Sequence, residues 1–88
     1  MKVEFRKSFI KDLKIVSDKF LLQKVKETIE IAEKSETLND LPHRKKLKGA
    51  DKFFRLKIGD YRLGFALEGD TLIFVRFLPR KDIYKFFP

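Results

Sequence analysis

The sequence predicts a single α+β domain. An N-terminal β-strand is followed by a helical hairpin and a three-stranded antiparallel meander. The strands form one mainly antiparallel sheet with the helices on one face. Two observations predict this layout. Apolar residues recur at helical spacing in the first half of the chain, whereas the second half holds three short apolar-rich runs separated by turn residues. A chain of 88 residues can bury one modest core, and ten Phe can build much of it.

The first half contains one strand candidate and two helix candidates. Residues 2–6 (KVEFR) alternate polar and apolar side chains, which predicts a short, half-buried strand. Ser8 is placed to cap a first helix that runs from Phe9 to roughly Val16, and Asp18 is a candidate turn or cap residue before the second. The apolar positions of the second helix, which starts near Phe20, are Leu21, Val25, Ile29 and Ala32.

The second half begins with a breaker-rich stretch, SETLNDLP at 35–42, where the helices end, and a basic run, HRKKLKGA at 43–50, follows it. The Gly59-Asp60 step predicts a two-residue hairpin turn between the first two strands. Pro79 ends the last strand, and PRKDIYKFFP is expected to form a C-terminal tail. The three predicted strands are Phe53 to Ile58, Tyr61 to Leu67 and Thr71 to Leu78.

The register of this hairpin places basic side chains together on one face. With the Gly-Asp step as the turn, Lys57 faces Arg62 and Arg55 faces Gly64. Two like charges directly opposite each other destabilise a sheet unless an anion lies between them, and Gly64 leaves room for a ligand backbone. This face is therefore a candidate phosphate-binding surface, although long Lys and Arg stems can also simply extend into solvent. The other face is expected to supply the core, from Phe54, Leu56, Ile58, Tyr61, Leu63, Phe65 and Leu67.

The last strand completes the predicted core. Its inward-facing residues are expected to be Ile73, Val75 and Phe77. Arg76 then points to the basic face. The apolar residues expected on that same face are Phe53, Leu72 and Phe74. They either stack on bases or are covered by Phe86 and Phe87 of the tail or by a partner protein.

The net charge of +8 is concentrated in the second half of the chain. Residues 1–40 hold nine Lys and Arg against eight Asp and Glu, whereas residues 41–88 hold twelve against five. Such asymmetry is typical of a protein with a polyanionic partner, either nucleic acid or an acidic protein segment. The absence of Cys excludes zinc-finger and thiol chemistry, and no run of about 18 apolar residues occurs. We therefore expect a soluble, cytoplasmic protein with no metal or other cofactor.

Three segments of the second half carry a family resemblance: KKLKG at 45–49, FFRLKIGDYRLGFAL at 53–67 and IFVRFLPRKDIYK at 73–85. In this order they resemble the RelE/ParE toxin superfamily of type II toxin–antitoxin systems. The resemblance implies a RelE-like mRNA interferase, an endoribonuclease that cuts mRNA in the ribosomal A site and inhibits translation. It further implies metal-independent attack of a ribose 2'-OH on the adjacent phosphate. The implied partners are a RelB-like antitoxin, the ribosome and mRNA.

The same resemblance implies catalytic roles for Arg55, Lys57, Arg62, Arg80 and Tyr84. Arginine stays protonated at any ordinary pH, so Lys57 is predicted to be the base or proton relay among neighbouring cations. Arg62 and Arg55 would clamp the phosphate and the transition state, and Arg80 would assist the leaving oxygen. RelE itself has Lys where Arg55 stands, which puts the assignment of the base in doubt. Tyr84 is predicted to orient or stack on a nucleotide or, alternatively, to anchor the tail against the sheet.

Further contacts to RNA phosphates are predicted for Lys45, Lys46, Lys48 and Arg76. His43 is the only histidine, and we expect it to be a solvated loop residue because no acidic partner lies near it in the sequence.

Two other functions are compatible with the sequence. One is a ParE-like toxin, which shares the fold, poisons DNA gyrase and lacks the basic catalytic set. The other is a noncatalytic nucleic-acid-binding module, although the predicted helical hairpin carries nearly balanced charge and offers no basic recognition helix.

Overall fold

The structure, a computed structural model, describes residues 1–41, 44–46 and 52–88. The strands are β1 (Lys2–Phe5), β2 (Arg44–Lys46), β3 (Phe53–Ile58), β4 (Tyr61–Glu68) and β5 (Thr71–Pro79). The helices are α1 (Lys7–Ile15), α2 (Lys19–Lys34) and α3 (Arg80–Phe86), with a 3₁₀ turn at Leu38–Asp40. Within the described ranges, no helix combines the length and the apolar character needed to cross a membrane.

The five strands form one mixed sheet in the order β1-β5-β4-β3-β2. Strand β1 pairs in parallel with β5, and the remaining pairs are antiparallel. The predicted α+β class is confirmed, as is the antiparallel β3–β4–β5 meander. The sheet has more strands than predicted, because part of the basic run forms the edge strand β2. Lys and Arg are common on such edges because their charge discourages pairing with another chain.

A β-bulge in β5 changes which of its residues face the core. Gly64 pairs with Arg76 but Phe65 pairs with Phe74, so Val75 is an extra residue on β5. An extra residue reverses the alternation of side chains beyond it. The prediction that Ile73 and Val75 fill the core between the sheet and the helical hairpin is therefore wrong, although Ile73 is itself buried, at 4% exposed, outside that cluster. The placement of Leu72 and Phe74 on the basic face is wrong for the same reason. The β5 residues that belong to the main core are Leu72, Phe74 and Phe77.

The main core lies between the sheet and the first two helices. Phe9 of α1 is fully buried, and its ring stacks on Phe74 with centroids 5.6 Å apart. Phe5 stacks on the same pair at 5.9 and 5.6 Å. Helix α2 contributes Val25 and Ala32 to this core, as the helical spacing predicts. The core-facing residues predicted for β3 and β4 are confirmed, with Leu56, Ile58, Leu63 and Phe65 buried in the cluster and Phe54, Tyr61 and Leu67 packed against it.

Helix α1 lies along the part of β5 that β1 leaves uncovered. Strand β1 pairs with β5 only as far as Phe74. Beyond that residue, the Ser8 hydroxyl donates a hydrogen bond to the Val75 carbonyl at 2.6 Å. Ser8 is thus not the predicted helix cap, since α1 already includes it. Asp18 does cap α2, accepting hydrogen bonds from the backbone N–H groups of Phe20 and Leu21.

The C-terminal segment predicted as a tail is helix α3. Its buried residues, Ile83 and Phe87, are four positions apart and so lie on one face of the helix. The Phe87 ring lies over Gly64, on the face of the sheet opposite α1 and α2. Helices therefore cover both faces of the sheet. Phe53 also contacts Phe87, edge to face at 5.7 Å, which confirms the predicted cover of Phe53 by the C-terminal segment.

Candidate functional site

The β3–β4 hairpin has the predicted register. Gly59 and Asp60 form the turn, and Gly59 has a φ of 57°, a left-handed conformation that glycine adopts without strain. Lys57 is paired directly with Arg62. These two cations lie on opposite strands of one hairpin, which brings positive charge together on the face away from the main core.

An open hollow of about 380 Å³ lies on this face. We call it the basic hollow; its walls are Arg44, Lys45, Arg55, Lys57, Arg62, Arg80 and Tyr84. All five residues with implied catalytic roles line it, although they come from β3, β4 and α3. Among the residues that the structure describes, its walls offer guanidinium, ammonium and phenol groups and no carboxylate, which is the chemistry of an anion site.

The guanidinium of Arg62 turns towards the hairpin turn. Its Nη1 donates hydrogen bonds to the carbonyl oxygens of Gly59, at 3.0 Å, and Tyr61, at 2.9 Å. These contacts offset part of the repulsion between Arg62 and Lys57 and fix the guanidinium at the rim of the hollow. A guanidinium has five N–H donors, so two such bonds leave donor capacity for an anion.

Helix α3 carries Tyr84 to the other side of the basic hollow. The Arg55 guanidinium carbon lies 4.5 Å from the centre of the Tyr84 ring, a cation–π contact between β3 and α3. Tyr84 is 55% exposed, so the alternative that it is a buried anchor is wrong. That role belongs to Ile83 and Phe87, which are 1% and 6% exposed. Tyr84 is held in place while part of its ring remains open to a ligand.

The surrounding cations change the acidity of the Tyr84 phenol. Hydrogen bonding with Arg80 is the largest cause that lowers the pKa of Tyr84, and the positive charges of Arg55, Arg80 and Arg62 lower it further. Partial burial raises this pKa; its effect is smaller than that of the Arg80 hydrogen bond but larger than that of any single neighbouring charge. The same positive potential that stabilises a phenolate would stabilise a phosphate or a developing oxyanion in the hollow.

The structure places only some of the residues predicted to contact RNA phosphates at the basic hollow. Lys45 lines the basic hollow, on an edge strand that pairs it with Arg55. Lys46 is exposed on the same strand but is not part of the wall of the hollow. His43 and Lys48 lie outside the described residues. Arg76 is not part of the wall either, because its side chain is engaged by Asp12.

Asp12 forms a small buried polar cluster with β5. Its carboxylate accepts hydrogen bonds from Nε and Nη2 of Arg76 at 2.8 and 3.1 Å, and from the backbone N–H of Phe77 at 2.9 Å. Hydrogen bonding to Asp12 raises the pKa of Arg76, which keeps the guanidinium charged. The prediction that Arg76 contacts RNA therefore lacks structural support. Its role in the structure is to join α1 to β5.

Sequence reasoning missed two residues that matter to this arrangement. Arg44 lines the hollow, but the basic run was not predicted to contain a strand that pairs with β3. Asp12 lies three positions after Phe9, on the apolar face of α1, and is only 7% exposed. An acidic residue on the buried face of an amphipathic helix is a usable signal for a hidden cationic partner.

The bare patch at Gly64 does not accept a ligand backbone, contrary to the prediction. A Cβ at Gly64 would lie 2.8 Å from three carbon atoms of the Phe87 ring. The space that this glycine leaves is thus already occupied by the end of α3. The ligand-accessible part of this face is the basic hollow beside it.

A mixed sheet with helices on both faces and a cationic hollow built from three strands and the last helix defines a small α+β protein with one strongly cationic face. A family model described as the ParE toxin of type II toxin–antitoxin system, parDE, matches residues 3–84. This chain therefore belongs to the RelE/ParE toxin superfamily of type II toxin–antitoxin systems, as the sequence resemblance predicts.

Two relatives from Methanocaldococcus jannaschii support this membership. Toxin RelE3 is 46% identical over 89 residues, an alignment that covers all of both chains. Putative toxin RelE1 is 33% identical over 81 residues, which cover 91% of this chain and 89% of the relative.

Solved structures show the same fold. The toxin chain matched in the RelB–RelE antitoxin–toxin complex from Methanococcus jannaschii has a TM-score of 0.84 and 41% identity, with 97% of this chain and 99% of that chain covered. An archaeal RelE–RelB complex from Pyrococcus horikoshii OT3 gives a TM-score of 0.71 at 22% identity, covering 90% of this chain and 93% of that chain. Because its identity is only 22%, the match to the Pyrococcus horikoshii complex supports the shared fold alone.

Proposed function

We propose that this toxin is a ribosome-dependent endoribonuclease that cuts mRNA in the A site and thereby inhibits translation. The observation that carries the proposal is the meeting of five side chains around one hollow: Arg55, Lys57, Arg62, Arg80 and Tyr84. Cleavage by a ribose 2'-OH needs a proton acceptor, cationic stabilisation of the phosphorane and help for the leaving 5'-oxygen. The residues around the hollow can supply all three without a metal ion.

In this mechanism the scissile phosphate binds in the basic hollow between β3, β4 and α3. Lys57 accepts the proton of the 2'-OH, directly or through a relay, while the 2'-oxygen attacks phosphorus. The bond between phosphorus and the 5'-oxygen breaks, and the 5'-oxygen takes a proton from solvent water, while Lys57 returns its proton to solvent. The products are a 2',3'-cyclic phosphate on one fragment and a 5'-hydroxyl on the other. Arg55 and Arg62 stabilise the added negative charge, and Arg80 stabilises the leaving oxygen.

Tyr84 is placed to orient the substrate in this reaction. One part of its ring lies against Arg55, and the exposed part can stack on a nucleobase next to the scissile phosphate. Lys45 and Arg44, at the edge of the hollow, would contact the adjacent RNA backbone. The hollow is open, so we expect slow cutting of RNA in solution, where the ribosome does not hold the substrate in a reactive geometry.

Poisoning of DNA gyrase, as in ParE-like toxins, is the first alternative function, because the matching family model is described as a ParE toxin. As the sequence resemblance implies, the ParE-like branch lacks the basic catalytic set of Arg55, Lys57, Arg62, Arg80 and Tyr84, all of which line the hollow of this chain. The basic hollow therefore favours the nuclease. A noncatalytic nucleic-acid-binding module would also use Arg80 for phosphate contacts and Tyr84 for base stacking, so cleavage by the parent protein is the observation that separates it from the nuclease.

The partner that we propose is a RelB-like antitoxin, because the archaeal toxin structure that is 41% identical to this chain was solved as a complex with RelB. An acidic or amphipathic segment of such a partner would be attracted to the cationic face that carries the basic hollow. By occupying that face it would block access of mRNA to the site. The place of action would be the cytoplasm, where ribosomes translate.

Primer extension on an mRNA in translating ribosomes tests the proposal. We expect cuts at A-site codons with the parent protein, and loss of these cuts with Lys57→Ala and with Arg62→Ala although both variants still bind ribosomes. A single 2'-O-methyl group on the nucleotide before the cut should also prevent cleavage, because it removes the nucleophile. Slow cleavage of a short RNA in EDTA would establish that no metal is required.

A parallel supercoiling assay with DNA gyrase distinguishes the two branches of the superfamily. Inhibition of gyrase together with intact mRNA would overturn the nuclease proposal in favour of the ParE-like function. Binding of RNA that weakens in equal, salt-dependent steps in each variant, with no cleavage by the parent, would identify a noncatalytic module.

A further inference from the structure

One face of helix α3 lines the basic hollow, and another packs against the sheet. Arg80 and Tyr84 line the basic hollow, whereas Ile83 and Phe87 are buried against the sheet. The backbone N–H of Phe87 donates a hydrogen bond to the Ile83 carbonyl at 3.0 Å, so Phe87 continues the last turn of the helix. Any displacement of the buried face therefore moves Arg80 and Tyr84 with it.

The buried face is fixed by a close fit at Gly64. The ring of Phe87 fills the space over this glycine so closely that an added Cβ would stand 2.8 Å from three ring carbons. Real Cβ atoms essentially never approach other heavy atoms below 3.0 Å. A phenyl ring cannot bend away as the end of a flexible side chain can, so even an alanine at this position would force α3 to move. Phe53 packs edge to face on the same ring at 5.7 Å.

We infer that Gly64 and Phe87 form a socket and anchor that position Arg80 and Tyr84 over the basic hollow. Gly64 and Phe87 touch no reacting atom and are positioning residues, not catalytic ones. Their effect on cleavage depends on the proposed endoribonuclease activity. Their effect on the position of Tyr84 does not depend on it and can be measured separately.

The socket is separate from the main core. Phe87 and Ile83 do not belong to the cluster that Phe9, Phe74 and their neighbours form between the sheet and α1 and α2. Release of α3 should therefore leave the rest of the protein folded. The adjacent Phe86 is the comparison variant, because it carries the same ring but is 57% exposed and contacts the Arg76 guanidinium carbon, at 5.9 Å, rather than filling the space over Gly64.

The contact between Tyr84 and Arg55 reports the position of α3. The Arg55 guanidinium carbon on β3 lies 4.5 Å from the centre of the Tyr84 ring on α3, so nuclear Overhauser effects between these two side chains require that α3 is seated. The chain has two Tyr, so the substitution Tyr61→Phe leaves Tyr84 as the only tyrosine ring in the NMR spectrum. All further variants are made in this background.

In this background we expect Gly64→Ala and Phe87→Ala to lose the nuclear Overhauser effects between Arg55 and the Tyr84 ring. Phe86→Ala should retain them. The double variant Gly64→Ala/Phe87→Leu, which pairs a larger socket residue with a smaller anchor, should restore part of their intensity. In the cleavage assay, Gly64→Ala and Phe87→Ala should cut mRNA on the order of 100-fold more slowly, as expected for misplaced catalytic groups, while ribosome binding is retained.

Unchanged Overhauser effects between Arg55 and Tyr84 in both single variants would overturn the inference. So would unfolding of Phe87→Ala in circular dichroism, since it would make Phe87 part of the core that holds the whole protein together. If the background protein does not cleave mRNA, the proposed function fails, but the Overhauser measurement still decides whether Gly64 and Phe87 position Tyr84.

Discussion

The Asp12 carboxylate on α1 binds the Arg76 guanidinium on β5 through two hydrogen bonds, of 2.8 and 3.1 Å. The same carboxylate accepts the backbone N–H of Phe77 at 2.9 Å. The Asp12 carboxylate thus pairs with the positive charge of Arg76. It also accepts the N–H of Phe77, which lies on the part of the β5 edge that β1 is too short to cover. This contact gives Arg76 a structural role and explains why a cation of the sheet is kept away from the basic hollow.

The Asp12→Ala variant should be destabilised by about 2 to 3 kcal/mol. The substitution leaves the partly buried Arg76 and the Phe77 N–H without their acceptor, and Arg76 retains some contact with water that limits the cost. The matched control is Glu27→Ala, which removes an exposed ion pair with Lys24 and should cost less than about 0.5 kcal/mol. Urea unfolding measures both; equal free energies of unfolding for the two variants would contradict the structural role of Asp12.

The Lys57→Arg variant should cleave mRNA as poorly as Lys57→Ala. Arginine keeps the positive charge of the basic hollow but cannot accept a proton at ordinary pH. Single-turnover cleavage on programmed ribosomes is the appropriate measurement, with ribosome binding as the control for docking. If Lys57→Arg retained most of the parent rate, Lys57 would act through its charge alone and another group would have to be the base.

Loss of each arginine near Tyr84 should raise the pKa of its phenol by a different amount. Arg80→Ala should produce the largest rise, because hydrogen bonding with Arg80 is the main cause of the lowered value, and Arg62→Ala the smallest. An ultraviolet titration with Tyr61 replaced by Phe measures each value. A rise that is larger for Arg62→Ala than for Arg80→Ala would contradict the described geometry.

The lowered pKa of Tyr84 also has a consequence for stability. The folded protein releases this proton at a lower pH than the unfolded chain does. The free energy of unfolding therefore gains a contribution as pH rises through the folded-state pKa, and that contribution is complete above the unfolded-state pKa. Tyr84→Phe should remove this pH-dependent contribution in unfolding experiments across the same alkaline range.

The Lys45→Ala variant should bind RNA with a weaker dependence on salt. Lys45 lies at the edge of the basic hollow, where a phosphate contact releases counterions, so its loss should reduce the slope of log K against log salt by about 0.7. A 2'-O-methyl RNA keeps the ligand intact during the measurement. Lys14→Ala removes one exposed charge from α1, outside the hollow, and serves as the control, because its slope should equal that of the parent.

The β3–β4 hairpin shows how far local sequence rules reach. A Gly-Asp turn allows only one short register, and burial of alternate apolar residues fixes its orientation, so the pairing of Lys57 with Arg62 could be predicted residue by residue. The family resemblance, and no local pattern, predicts that Arg80 and Tyr84 lie near this pair. The local sequence of their segment predicts a tail, and nothing in that segment alone shows against which part of the sheet a seven-residue helix packs.

By itself, the sequence determined the α+β class, the two-helix hairpin, the β3–β4 register, the asymmetry of charge and the toxin superfamily. These properties depend on periodicities and motifs within short segments. Only the tertiary structure decided the β-bulge at Val75, the capture of Arg76 by Asp12 and the fit of Phe87 over Gly64. Each of these depends on contacts between segments far apart in the chain, where shape and the pairing of buried polar groups select the partner, and local patterns do not encode that choice.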